Sequence, residues 1–341
     1  ALAADLALRG HRVRMYYRHR RARRVFETGE IQVTGAFSGT ARLDMVTDEL
    51  AKAVAGADYI CLAAPAYSHE TYGHMLKGLL APDQVLVLCP GAFGSLQMRS
   101  IWGQEPGPTI VETNNLPYGT RLTGEGQVTV FGRNVVNVAC MPASAGPALL
   151  TRLREDLFAI GRLERDVVAC GLSLVNPALH PGPCLVNASS IERPDVDFFL
   201  YEHGFQPSGL KIDVLLNKER LRIGEAFGYK IHALEDFAGV DTIDSWEPMY
   251  AMGHGCHALT SIAGPNDINY RYLTEDIPIA LVCWASIADQ LGIETPIMDA
   301  VITLIGVAHD TDWFVNGRTA EKLGLSGKTI EEISRYAKTG R

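Results

Sequence analysis

Several features that would place a chain at once are missing from this one. No apolar run approaches the roughly 18 residues that cross a bilayer. The first residues show no basic stretch leading into an apolar core and a cleavage site. No C-x-x-C pair occurs, and the cysteines number 7, an odd total scattered mostly through apolar runs. That pattern argues against a disulfide framework and predicts reduced core thiols, with a reducing cytoplasm as the expected home. Internal repeats and low-complexity tracts are also absent, which removes solenoid and fibrous readings. Neither charge sign dominates: 31 Lys and Arg stand against 39 Asp and Glu, a net −8, which disfavours general nucleic-acid binding but permits local basic sites.

What is present is ordinary globular material, 47% hydrophobic and 21% charged. At roughly 150 residues per domain, 341 residues predict two domains with ample core. Residues 1–10 (ALAADLALRG) place Leu2, Leu6 and the alanines on one helical face and stop at Gly10. A short strand at HRVRMYY follows. Residues 57–64 (ADYICLAA) and 84–89 (QVLVLC) are nearly all apolar, as in parallel strands buried on both faces. Helical stretches at 48–55 and 68–80 alternate with them, the mark of a doubly wound α/β sheet over 1–165. From 166 to 341 the period changes to 3.6, around 166–179, 208–227, 273–292 and 296–309, and a mostly α-helical second domain is expected. With no Gly/Ser linker between the halves, a fixed cleft between them is the expected ligand site.

One absence matters more than the rest. A chain with this alternation ought to show G-x-G-x-x-G before its first helix, and none occurs anywhere. The expectation is that Ala1 lies inside that helix, the first strand and glycine turn preceding the numbering. After the strand at HRVRMYY the chain reads Tyr17-Arg18-His19-Arg20-Arg21-Ala22-Arg23-Arg24, with no acid until Glu27. An NAD enzyme usually places Asp or Glu here for the ribose 2′-hydroxyl, whereas cations suit a 2′-phosphate. Arg18 with Arg20 or Arg21 therefore point to NADP, with NAD as the alternative, and a solvated basic helix start remains open. Two further turns, Ala64-Pro65-Ala66 and Cys89-Pro90-Gly91-Ala92-Phe93-Gly94, end apolar strands where such cofactors bind, though Gly and Pro also mark plain loops.

The second half concentrates acid–base chemistry in two segments. In S-L-V-N-P-A-L-H-P at 173–181, His180 ends an apolar helical run; its imidazole is the side chain that titrates near neutrality. In the segment 263–278, Asp276 is the candidate partner carboxylate, and Arg271, five residues earlier, can present its fork to a substrate carboxylate. On residue types alone, a packing histidine and a structural Arg–Asp pair explain the segments equally well.

The blocks N-P-A-L-H-P at 176–181, N-x-R-Y-x-x-E-D at 269–276 and G-R-T-A-E-K-L-G-L-S-G at 317–327 resemble the opine dehydrogenase (octopine/nopaline dehydrogenase) family. The resemblance runs from Ala1 to about Gly327. It implies a Rossmann-type first domain, a helical second domain, and NAD(P)H-dependent reductive condensation of an amino acid with a 2-oxo acid such as pyruvate. By the same resemblance His180 is the catalytic acid/base, Asp276 its partner and Arg271 the carboxylate anchor. The E-T-x-x-x-P-Y-x-x-R block from Glu112 to Arg121 also matches, and the resemblance puts Glu112 with the cofactor, and Tyr118 of this block and Asn176 of the N-P-A-L-H-P block with the substrate. Leu174 departs from the pattern, standing where relatives carry Asn.

Two other readings compete. A ketopantoate or glycerol-3-phosphate type reductase has the same plan but a catalytic Lys, for which Lys211 and Lys218 are available. A non-enzymatic NADP(H)-sensing protein is the second. His254, Cys256 and His257 have no common zinc spacing, so no metal is expected. Tyr201, Trp246, Tyr250 and Tyr270 read as core or cleft wall. The sequence is compatible with a homodimer.

Overall fold

The computed structural model describes residues 1–18, 23–103, 105, 107–231 and 233–341. The chain forms two compact units. The first comprises Ala1–Ala64, Ser68–Val167 and Lys338–Gly340, and the second Pro65–Tyr67, Val168–Ala337 and Arg341.

In the first unit a helix at Leu2–Leu8 leads into β1 (Arg14–Tyr16). The strands then run β2 (Glu30–Gly35), β3 (Gly39–Arg42), β4 (Met45–Thr47), β5 (Tyr59–Leu62), β6 (Val85–Leu88), β7 (Thr109–Thr113), β8 (Tyr118–Gly124), β9 (Gln127–Arg133), β10 (Val136–Met141) and β11 (Ile160–Leu163). β1 and β4 pair in parallel, and a five-stranded sheet has the order β11-β10-β7-β6-β5. β5, β6 and β7 are parallel, as their two-sided apolar character requires. Val85, Val87, Cys89 and Val111 pack into one buried cluster, while Leu86, Leu88 and Ile110 pack with Met98 and Trp102 into another. Helices His69–Leu76 and Gly94–Trp102 supply the second face.

Two details differ from the sequence-based expectation. β7 and β10 are antiparallel, and a second, four-stranded sheet of order β3-β2-β9-β8 is built from residues to which the sequence pattern assigned no element. The second follows from alternation over short strands: Ile31, Val33, Val128 and Val130 turn inward while Thr34 and Thr129 stay outside. It also explains the first, because β7 enters the β8–β9 hairpin after four residues, too few for a crossover, so the chain returns antiparallel as β10.

The second unit is helical. Helices Pro181–Val186, Pro207–Ala226, Val282–Gln290 and Pro296–Ala308 form most of its core. Trp284 is fully buried and donates from its indole to the Gly171 carbonyl at 3.2 Å. Arg220, also fully buried, donates to the Leu174 carbonyl at 2.8 Å and to Asn217; burial pulls its pKa down to about 10. No helix among the described residues is long and apolar enough to cross a membrane.

Candidate active site

His180 caps the helix Pro181–Val186, entered from a tight turn at Asn176–Ala178 whose Asn176 carbonyl accepts the His180 backbone N–H at 3.1 Å. The following residue but one sets the seat of that helix. A β-carbon on Gly182 would lie 2.2 Å from the Gly209 carbonyl oxygen and 2.6 Å from Asp213 Oδ1, so only glycine lets the helix lie against Pro207–Ala226 at this depth. The Gly182 N–H donates to Asp213 Oδ1 at 2.9 Å.

Held there, the imidazole meets Asp276, Tyr201 and Tyr272. Its Nδ1 lies 2.6 Å from Asp276 Oδ2, its Nε2 lies 2.9 Å from the Tyr201 hydroxyl, and its ring stacks on Tyr272 at 3.8 Å and 25°. The His180 side chain is 2% exposed and that of Asp276 9%, so the pair interacts away from bulk water. A carboxylate only accepts, so Asp276 fixes the proton on Nδ1 and leaves Nε2 as the working nitrogen.

Arg271 opens the short helix Arg271–Thr274 that precedes Asp276. Its guanidinium pairs with Glu275 Oε2 at 2.9 Å while the Arg271 side chain stays 36% exposed. Burial works against the Arg271 charge, but Glu275, Asp276 and the tyrosines beside it outweigh this and hold it firmly protonated. Burial pushes the Glu275 carboxyl upward, with Arg271 pulling it back down. Glu275 also accepts the Ala66 backbone N–H at 2.8 Å, and Arg318 donates to the Ala66 carbonyl at 2.7 Å. Both polar groups of the Ala66 peptide are thus engaged by second-unit side chains.

The sequence-chosen residues fall into distinct places. His180, Asp276, Arg271 and Asn176 lie in the second unit, the first two in contact. Arg18 is exposed just beyond β1, and half-buried Ala64 follows β5; Arg20 and Arg21 lie outside the described residues. Pro65 and Ala66 belong to the second unit. Glu112, expected beside a cofactor, is fully buried and accepts from Phe93 N at 3.0 Å, Ser95 N at 2.8 Å and the Ser95 hydroxyl. It therefore fills the helix start in the turn containing Pro90 and Gly91, in the position an anionic ligand would take. Tyr118, expected beside substrate, instead donates from its hydroxyl to Asp5 at 2.8 Å; burial and that carboxylate push the phenol upward. Asp5 also pairs with Arg133, so these three tie the first helix to the hairpin. Lys211 is exposed, and Lys218 reaches the Asp244 carbonyl at 3.3 Å.

Tyr201, Tyr272 and Glu275 were missed as site residues. Glu275 left a local trace, standing four residues after Arg271 on one helix face. Tyr272 stands in the N-x-R-Y-x-x-E-D block with no role read from it, and Tyr201 was read as core or cleft wall.

A family model described as NAD/NADP octopine/nopaline dehydrogenase, alpha-helical domain, matches residues 163–309. The chain is 32% identical over 339 residues to the opine dehydrogenase of Arthrobacter sp. (strain 1C), covering 98% of this chain and 94% of that relative. It is 28% identical over 310 residues to vitopine synthase of Allorhizobium ampelinum (strain ATCC BAA-846 / DSM 112012 / S4), covering 88% and 83%. A solved structure of octopine dehydrogenase with NADH and pyruvate superposes with a TM-score of 0.73 at 19% identity, over 95% of this chain and 92% of that one. The NADP+-bound yersinopine dehydrogenase does so with a TM-score of 0.74 at 15% identity, over 99% and 94%. These likenesses establish the fold.

Proposed function

This chain belongs to the opine dehydrogenase family, and from that premise we propose that it joins an amino acid to a 2-oxo acid by reductive condensation. It is an NAD(P)-dependent oxidoreductase acting on CH–NH groups. The observation that carries the reading is the buried His180–Asp276 pair at 2.6 Å, one turn from the half-exposed Arg271.

The chemistry follows from these groups. An amine and a ketone lose water to form an imine, a step that needs a proton donor and acceptor near neutrality. His180 Nε2 exchanges that proton while Asp276 holds the ring and balances the imidazolium charge. Arg271 receives the 2-oxo acid carboxylate on its fork and fixes the carbonyl carbon for attack. NAD(P)H supplies the hydride that reduces the imine carbon.

The donor chemistry of the first unit fits the dinucleotide. Arg18 follows β1, which ends at Tyr16, and Ala64 follows β5, which ends at Leu62; each strand has a parallel partner, and open α/β sheets bind such ligands beyond the carboxyl ends of their strands. The exposed Arg18 cation and the absence of Asp or Glu from 14–18 support a 2′-phosphate, hence a preference for NADPH. Glu112 and Gly91 act on this side as supports of the turn. Tyr118 supports the hairpin. None of the seven cysteines is joined in a disulfide, which supports a cytoplasmic enzyme. A homodimer is compatible with the reading, and sedimentation velocity reads that directly.

The test is a matrix of amino acids against 2-oxo acids with NADH and NADPH, with products identified by mass spectrometry. A secondary-amine dicarboxylate or related condensation product is expected, and His180→Ala should lower turnover about 10²–10⁴-fold. Reduction of a 2-oxo acid to its hydroxy acid, with no amine consumed, would establish the reductase reading instead.

A further inference from the structure

Proton transfer at His180 meets an obstacle that the family assignment does not address. The working nitrogen already has a phenol on it: Nε2 lies 2.9 Å from the Tyr201 hydroxyl. The imidazole cannot turn to offer Nε2 elsewhere without losing the 2.6 Å bond from Nδ1 to Asp276, and Tyr272 is stacked on its face at 3.8 Å. At 2% exposure the His180 side chain presents almost nothing to an arriving ligand. Tyr201 is itself well anchored. It stands in the turn Leu200–Gly204, whose Leu200 N–H donates to the Gly264 carbonyl at 3.1 Å, and its ring packs on Phe205 at 4.8 Å.

Resting on the condensation reading above, we propose that Tyr201 is a further catalytic residue, its hydroxyl touching the substrate oxygen and conveying the proton between it and His180. Because Nδ1 carries a proton toward Asp276, the neutral ring accepts at Nε2 and the Tyr201 hydroxyl donates to it. When the ring is protonated the polarity of that bond reverses: Nε2–H donates to the phenolic oxygen and the phenol proton turns toward the substrate oxygen. In the dehydration step the carbinolamine C–O bond breaks and its electron pair stays on oxygen. That oxygen takes the Tyr201 proton and leaves as water. The phenolic oxygen takes the Nε2 proton, and the amine nitrogen's lone pair forms the C=N bond. The phenol is restored, the imidazole ends neutral and one proton has passed to water, so no oxidant or further reactant is needed. A tyrosine so placed also gives His180 a route to substrate without exposing the buried dyad to bulk solvent.

Tyr201→Phe removes the hydroxyl and keeps the ring packed on Phe205. In the holoenzyme with NADPH and the active amino acid and oxo acid pair, kcat for condensation is expected to fall about 10²-fold or more. Both substrate KM values and the thermal midpoint should stay near those of the wild type. Replacing Tyr201 with 3,5-difluorotyrosine, which keeps the hydroxyl but makes it more acidic, is expected to retain activity and move the pH–kcat profile to lower pH. A Tyr201→Phe enzyme within threefold of wild-type kcat across the pH range overturns the proposal, as does an unmoved profile in the fluorinated enzyme. A wild-type protein that makes no condensation product with any pair overturns the underlying reading, a distinct outcome.

Discussion

Gly91 and Glu112 occupy almost the same space: a β-carbon added to Gly91 would lie 2.3 Å from both Cβ and Oε2 of Glu112. The carboxylate needs that closeness to reach the backbone N–H groups of Phe93 and Ser95 at the start of helix Gly94–Trp102. Gly91→Ala must push Glu112 out or bend the turn. A loss of about 1–3 kcal/mol is expected, seen as a lower urea midpoint at unchanged slope. A midpoint equal to that of the wild type would show the turn relaxing freely.

Arg271 and Glu275 make a prediction about binding. Arg271→Ala removes the fork while leaving His180 and Asp276 in place, so the 2-oxo acid KM should rise about 10- to 100-fold, the worth of a charge-assisted pair. The amino-acid KM should change much less. Glu275→Gln keeps an acceptor for Ala66 but drops the counter-charge; it should raise the oxo-acid KM by a smaller factor. An oxo-acid dependence untouched by Arg271→Ala would remove the anchor role.

Asp213 makes a prediction about pH. Burial holds its carboxyl well above the ordinary value near 3.8, so the folded chain keeps a proton that the unfolded chain releases. Stability from this group is whole below about pH 3.8 and is lost as pH rises toward the folded value. Asp213→Asn, which still accepts from Gly182, removes that loss. Unfolding free energies measured by urea titration across this range should fall with pH more steeply in the wild type than in the variant, leaving the variant ahead at neutrality. Parallel curves would contradict the linkage.

Arg18 tests cofactor choice. Arg18→Ala should raise the KM for NADPH about tenfold, one charge-assisted phosphate contact, and leave that for NADH nearly unchanged. Equal effects on both would place Arg18 away from the 2′-phosphate.

Much of this was legible along the chain. The two-sided burial of Val85–Leu88 follows from four consecutive apolar residues, and the long helix at Pro207–Ala226 from its period, because both are decided by neighbours a few residues away. His180, Arg271 and Asp276 stand out because few residue types can move a proton near neutrality or grip a carboxylate in a fork. The four-stranded sheet was not legible, since its strands are short and its Thr and Gly content reads equally as loop.

Residue identity and local period thus determined the class of each unit and the chemistry available to it. The tertiary structure alone decided which groups meet: His180 with Asp276, 96 positions apart, Ala66 with Glu275 and Arg318, 209 and 252 positions apart, and the Tyr201 hydroxyl with Nε2. It also turned Glu112 and Tyr118 inward to cap a helix and brace a hairpin. The physical reason is that a side chain's face is set by its own backbone, whereas its partner is set by how distant elements pack. Only that packing satisfies a buried polar atom.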